Sequence, residues 1–178
     1  MTHPPAWTPP GASTADIDRA LGDLQAVSLL LLLSPTAERD LADFIDDHFA
    51  HEAGARTFGC LLHLCGDADG ARFWWQFAAG AGDDAAEYCL FLDHSQCGEF
   101  HDAEHWGRQL ALHRFTPDEL LGDRTAAPVL TEDFTSCVAD YIVERHHPDL
   151  GVIPFPKTLL IRHVRDLTPI PTKPPCAT

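Results

Sequence analysis

The chain has 178 residues, of which 27 are Asp or Glu and 12 are Lys or Arg, for a formal net charge of −15. This length suffices for one domain with a buried core, and the acidic balance disfavours direct contact with nucleic-acid phosphates. The longest apolar run, Ala26 to Leu33, contains Ser28 and is too short to cross a bilayer, which needs about 20 residues.

The first residues of the chain do not show the pattern of a secretion signal, because no basic segment precedes an apolar one. We therefore expect a cytoplasmic protein without a membrane partner, whose six cysteines stay reduced and pack as small apolar side chains. Ten arginines stand against two lysines, a bias typical of a bacterial genome rich in GC. Residues 1–14 are rich in proline and are predicted to form a disordered N-terminal tail.

Helical patterns begin at Asp16, from which apolar residues recur at steps of three and four up to Leu31. Ser34 and Pro35 predict the end of this helix and the start of a second one, with Ser34 as its N-cap. Gly54 is predicted to end the second helix.

Two stretches further along repeat each other at an offset of 32 residues. The first has Cys65, Gly66, Asp67, Ala71 and Trp74, and the second has Cys97, Gly98, Glu99, Ala103 and Trp106. A period between about 20 and 50 residues indicates stacked structural repeats. We predict one helical hairpin with helices near 55–65 and 68–80, and a second hairpin of the same design around the turn at Gly98. The first two helices are predicted to be a degenerate third copy.

The repeat domain is predicted to span residues 15–125. Residues 131–145 have one more amphipathic pattern, which predicts a C-terminal capping helix within 126–147. Residues 148–178 are predicted to be an extended, Pro-rich basic tail with a short helix near 157–166, docked on the acidic body or on a partner. The predicted fold class is all-α, a short solenoid of α/α helical hairpins with an irregular Pro-rich C-terminal extension.

Residues 71–90 resemble the Sel1-like and tetratricopeptide families. The matching positions are a Trp on the second helix, an Ala-Ala-x-x-Gly ending, and an acidic residue before Ala and Tyr on the next helix: Trp74, Ala78, Ala79, Gly82, Asp83, Ala86 and Tyr88. The resemblance covers two clear units within 54–113 and a weaker one within 16–52, and it extends in general character to helical-repeat regulators of actinobacteria. It implies an α/α solenoid that binds partner proteins and has no enzyme activity of its own.

Four aromatic residues are predicted to contact a partner protein or peptide: Trp75, Trp74, Trp106 and Tyr88. Adjacent residues on a helix point about 100° apart, so one of Trp74 and Trp75 is expected to face the core and the other the surface. Trp75 aligns with Gly107 in the next unit, which favours Trp75 as the contact residue.

The spacing of His94, Cys97, His101 and His105 indicates a weak candidate metal site, because thiolate and imidazole ligands suit zinc. Gly98 interrupts the helix between these residues, so we expect packing residues and exposed imidazoles rather than metal ligands. The sequence lacks a Gly-rich phosphate loop, a Gly-x-Ser-x-Gly elbow and a Cys nucleophile motif, and we predict neither an enzyme nor a cofactor.

The leading hypothesis is therefore a non-enzymatic adaptor or regulatory protein that binds a partner in a helical-repeat groove. One alternative is an acidic mimic of nucleic acid that inhibits a DNA-binding protein or sigma factor. Another is a metal-binding enzyme or sensor that uses His and Cys ligands.

Overall fold

Helices make up most of this chain in the computed structural model, which describes residues 13–46, 51–117, 120, 138, 140–149 and 151–167. The elements are α1 (Thr14–Leu32), α2 (Ala37–Asp46), α3 (Glu52–Leu64), α4 (Ala68–Gly80), α5 (Asp84–Gln96), α6 (Phe100–His113), β1 (Ile142–His147), β2 (Gly151–Pro156) and α7 (Leu159–Leu167). The prediction of a mostly helical fold is confirmed. The N-terminal tail, except for its last two residues, and the part of the predicted capping helix before residue 138 lie outside the described residues.

The four central helices, α3 to α6, are spaced regularly, because each starts 16 residues after the one before it. Residues with left-handed backbone close them at the same interval: Gly66, Gly82, Gly98 and Arg114, with φ of 86°, 93°, 73° and 57°. Glycine adopts this conformation without a side-chain clash, and it therefore ends three of the four helices. The predicted turns at Gly66 and Gly98 are confirmed, and the 32-residue offset corresponds to two helices.

Three contacts in this array each join residues that are 27 positions apart. In each contact, a side chain on one helix meets a residue next to the end of a helix further along the chain. Arg56 on α3 pairs with Asp83, the N-cap of α5, at 2.5 Å, and Arg72 on α4 pairs with Glu99, the N-cap of α6, at 3.3 Å. In the third place the ion pair is replaced by an aromatic contact, Tyr88 to Phe115, with ring centroids 5.5 Å apart. These contacts join alternate segments of the array at equivalent positions.

Helix α1 packs mainly against α3 and α5, and its axis meets that of α2 at 78°. Its buried side chains include Leu24, Val27 and Leu32. The first two helices therefore do not repeat the side-by-side packing of α3 with α4 and of α5 with α6. No single described helix is long and apolar enough to cross a membrane, and α1 and α2 meet that criterion only as a pair, across this bend.

The prediction that Gly54 ends the second helix is wrong. Gly54 lies in the first turn of α3. It is required there by close packing against α2. A Cβ at this position would lie 2.2 Å from the Asp40 carbonyl oxygen and 2.3 Å from the Phe44 Cβ. The glycine therefore marks where two helices touch.

Residues 142–147, predicted to be the end of a helix, form the strand β1 instead. This strand pairs antiparallel with β2, with Ile142 opposite Pro156 and His147 opposite Gly151. The prolines of β2 hold the backbone before them extended, and the β-branched residues Ile142 and Val143 suit a strand that pairs with it. The helix prediction is wrong here because the partner strand decides the local structure.

The β-hairpin docks on the helices through β2. The Trp74 indole N–H donates a hydrogen bond of 2.9 Å to the Pro154 carbonyl oxygen. Phe155 is buried, and its ring lies 5.6 Å from that of Phe44. This hairpin is therefore joined to the helical core by both an apolar contact and a directed hydrogen bond.

The predicted short helix near 157–166 is confirmed as α7, which packs against α2. Its Arg165 forms an ion pair with Glu38, and the Lys157 ammonium donates a 2.7 Å hydrogen bond to the Asp140 carbonyl oxygen. Two basic residues of the tail thus bind within the chain itself.

We expect Asp83→Ala to lower the free energy of unfolding by about 3 kcal/mol. The substitution removes the N-cap bond to the Ala86 amide and the carboxylate closest to Arg56. Among the described residues this arginine then keeps one ion pair, with Asp40 at 4.0 Å. The control Asp43→Ala changes an exposed residue of α2 and should change stability by less than about 0.5 kcal/mol. Urea denaturation measures both, and equal stabilities of the two variants would contradict this account.

Candidate functional site

Trp74 and Trp75 are both fully buried, so the prediction that one of them faces the surface is wrong. Trp74 packs at the centre of an aromatic cluster, with ring centroids 5.0 Å from Phe44 and 6.0 Å from Phe58. Trp75 lies over Gly59 of α3, where a Cβ would come within 2.8 Å of the indole. Because Gly59 has no side chain, the Trp75 indole fits into the space beside it.

The other two predicted contact residues differ in exposure. Tyr88 is buried between Phe91 and Phe115. Trp106 is half-buried, with its ring 5.1 Å from that of His105. Of the four aromatic residues, Trp106 is the one that is only half-buried. Helix α1 packs against both α3 and α5.

The four candidate metal ligands predicted from spacing do not come together. His94 is buried and its Nδ1 lies 2.6 Å from a Glu99 carboxylate oxygen, while the Cys97 thiol accepts a hydrogen bond from Arg72 at 3.6 Å. His101 and His105 are exposed on α6 and do not converge with them. The cation beside His94 and Cys97 is the Arg72 guanidinium, which is permanently charged and disfavours a metal ion there.

A cleft of about 300 Å³ lies between the first turn of α4 and the β-hairpin. Its lining combines three carboxylates with apolar groups: Asp67, Asp69, Glu144, Gly70, Phe73, Val152, Ile153 and Pro154. Within the described part of the chain, neither Lys nor Arg lines it. Asp69 and Glu144 are exposed, whereas one Asp67 oxygen accepts a 2.9 Å hydrogen bond from the Gly70 amide.

Close contact between α4 and β2 shapes this cleft. A Cβ at Gly70 would lie 2.9 Å from the Pro154 Cγ, so only glycine lets the strand come this near. The Trp74 indole holds Pro154 in place by its hydrogen bond to the Pro154 carbonyl oxygen. Glu144 stands opposite Pro154 in the sheet register, and Val152 leaves 62% of its surface exposed beside it.

An acidic cleft with apolar walls suits a ligand that is both cationic and partly apolar. Carboxylates bind an ammonium or guanidinium group, and an aromatic ring such as Phe73 attracts a cation within about 6 Å. This cleft was not predicted from the sequence, because the helical pattern places Glu144 in a helix and the prolines place Val152 in an extended tail. The usable signal was the apolar residues between the prolines of β2, which indicate a segment that docks.

Comparisons with protein-family models, with curated proteins and with solved structures give no match for this chain. The resemblance to Sel1-like and tetratricopeptide repeats therefore stays a prediction.

The burial of Trp75 can be tested by adding one methyl group. Gly59→Ala places a Cβ 2.8 Å from the indole, and we expect it to lower the free energy of unfolding by about 1–3 kcal/mol. Gly22→Ala, within α1 and with no atom within 4 Å of its Cβ, is the matched control and should stabilise by up to about 1 kcal/mol. Thermal unfolding distinguishes them, and two stabilising substitutions would show that Trp75 does not occupy this space.

His63, whose ring lies 5.6 Å from that of Trp75, predicts a pH effect. Burial lowers the pKa of this imidazole below 6.5, and Asp93 offsets part of the effect. The unfolded chain therefore takes up the proton first, and the native state loses stability as the pH falls below 6.5. Between pH 7.5 and 5.5 the loss measured in urea should be smaller for His63→Gln than for the native chain. The exposed control His101→Gln should retain the native loss, and equal losses in all three would contradict the prediction.

Proposed function

We propose that this chain is a non-enzymatic adaptor of the bacterial cytoplasm, which binds a basic segment of a partner protein in the acidic cleft. The observation that supports the proposal is the cleft itself, with Asp67, Asp69 and Glu144 beside apolar walls and no Lys or Arg among the described residues that line it.

The chemistry of Lys and Arg side chains matches these walls. Their aliphatic stems cover apolar surface such as Val152 and Phe73, and their charged ends reach the carboxylates. A net charge of −15 would also attract a basic partner over several ångströms and speed its association. Val152, which is exposed in the free chain, would become buried in such a complex. Its burial would add an apolar contribution to the binding free energy that salt does not screen.

Nucleic-acid mimicry receives less support, because many carboxylates are used within the fold. Glu38, Asp83, Asp93 and Glu99 pair with arginines, and Asp40 and Glu87 are buried. A mimic of a phosphate backbone needs its charges exposed in an array. The adaptor proposal needs only the three carboxylates of the cleft.

Binding of a fluorescent peptide rich in Lys and Leu, followed by anisotropy, tests this proposal. The double variant Asp69→Asn/Glu144→Gln should weaken binding by about tenfold, since each exposed ion pair contributes up to about 1 kcal/mol. The control Asp18→Asn/Asp43→Asn removes the same charge from exposed positions outside the cleft and should change the Kd by less than about twofold.

Two outcomes would overturn the proposal. One is equal weakening by both double variants, which would mean that only the net charge matters. The other is failure of the native chain to bind the peptide more tightly than a Glu and Leu peptide of the same length.

A further inference from the structure

Three potential metal ligands meet where α5 begins and α6 ends. Asp84 and Glu87 lie one turn apart on α5, and His113 is the last residue of α6. His113 Nδ1 lies 2.7 Å from an Asp84 oxygen and 3.5 Å from the Glu87 Oε2. All three ligand atoms are within 4.8 Å of one another.

Glu87 is the unexpected member of this cluster. Position 87 belongs to a series spaced by 16 residues, whose other members are buried alanines: Ala55, Ala71 and Ala103, each 0% exposed. Packing of the array thus requires only a methyl group here. The Glu87 side chain is nevertheless 6% exposed, and its Oε2 is buried without a hydrogen-bond partner among the described residues. A buried carboxylate oxygen in that condition is costly unless a cation binds it.

Charged and titratable groups surround Glu87. Asp84 and Asp83 are its acidic neighbours, and His113 faces it as a basic group. Asp83 is already paired with Arg56. No arginine or lysine is paired with Glu87 or Asp84 in the described part of the chain, and the basic group that faces both is His113, which is charged only when protonated. The neutral imidazole and the two carboxylates are then all available as metal ligands.

The ligands are specific to this hairpin. Thirty-two residues earlier, the positions that correspond to Asp84, Glu87 and His113 hold Glu52, Ala55 and Ala81. The hairpin of α3 and α4 therefore folds in the same way without the cluster. Both Glu87 and His113 replace an alanine, which argues against a requirement of the fold.

We propose that Asp84, Glu87 and His113 bind a divalent transition-metal ion, with Zn²⁺ as the best match. Zinc binds imidazole nitrogen and carboxylate oxygen at about 2.0–2.2 Å, so the ligand atoms of a tetrahedral site lie about 3.3 Å apart. The distances of 2.7 and 3.5 Å to His113 Nδ1 lie on both sides of this value. The two carboxylates balance the charge of the ion, and Mg²⁺ is disfavoured because it prefers oxygen ligands.

Bound zinc would join the first turn of α5 to the last turn of α6. Three protein ligands leave one coordination position for water. Because the ion binds the native arrangement, it would stabilise the folded chain by mass action.

Metal titration of the full chain, freed of metal by a chelator, tests the site. We expect one equivalent of Zn²⁺ to bind and to raise the Tm. Glu87→Ala and His113→Ala should each weaken binding by at least about tenfold and abolish the rise in Tm. Without metal, Glu87→Ala should be at least as stable as the native chain, because it removes a buried oxygen without a partner.

The control Asp102→Ala changes the second group of potential ligands, which comprises His94, Glu99 and Asp102. It should leave zinc binding unchanged. Loss of binding in Asp102→Ala but not in Glu87→Ala would move the metal to that second group and overturn the proposal. Absence of stoichiometric binding, or equal binding by the native chain and both ligand variants, would also overturn it. If Glu87→Ala failed to fold, His113→Ala, which changes an exposed residue, would test the zinc site by itself.

Discussion

The contact across 27 residues is the constraint on which the rest of the structure depends. Arg56 reaches Asp83, and Arg72 reaches Glu99, in each case the residue that precedes a helix two further along. The Tyr88 and Phe115 rings occupy the third such place. A salt bridge and an aromatic pair occur at equivalent places, so either one can join alternate segments of the array, whose helices start at 16-residue steps.

Both candidate sites arise from this regular spacing. The helices α5 and α6 have nearly equal lengths, 13 and 14 residues, and the start of α5 lies next to the end of α6, where Asp84, Glu87 and His113 meet. The start of α4 remains open to the β-hairpin, which Trp74 anchors through Pro154. The large aromatic residues stabilise the interior, whereas both candidate sites use carboxylates. Four of these lie at the N-cap or in the first turn of α4 or α5, and the fifth, Glu144, lies on β1.

The sequence predicted local features well and long-range contacts poorly. The turn at Gly66 follows from a conformation that glycine favours, and α4 begins at the predicted residue, Ala68. By contrast, Trp75 is buried because Gly59, on another helix, leaves room for it. Residues 142–147 form a strand because a segment further along pairs with them. The cluster of Asp84, Glu87 and His113 was not predicted from the sequence, although position 87 offers one signal. It holds a glutamate, whereas the equivalent positions in the other helices hold Ala55, Ala71 and Ala103.

A double-mutant cycle on Arg56 and Asp83 tests the central claim most directly. Arg56→Met keeps the length of the side chain, and Asp83→Asn keeps an N-cap acceptor for Ala86 while removing the charge. The free energies of unfolding of the two single variants and the double variant give the coupling between the side chains. We predict a coupling of about 1–3 kcal/mol. A value within about 0.5 kcal/mol of zero would show that this pair does not hold the array together.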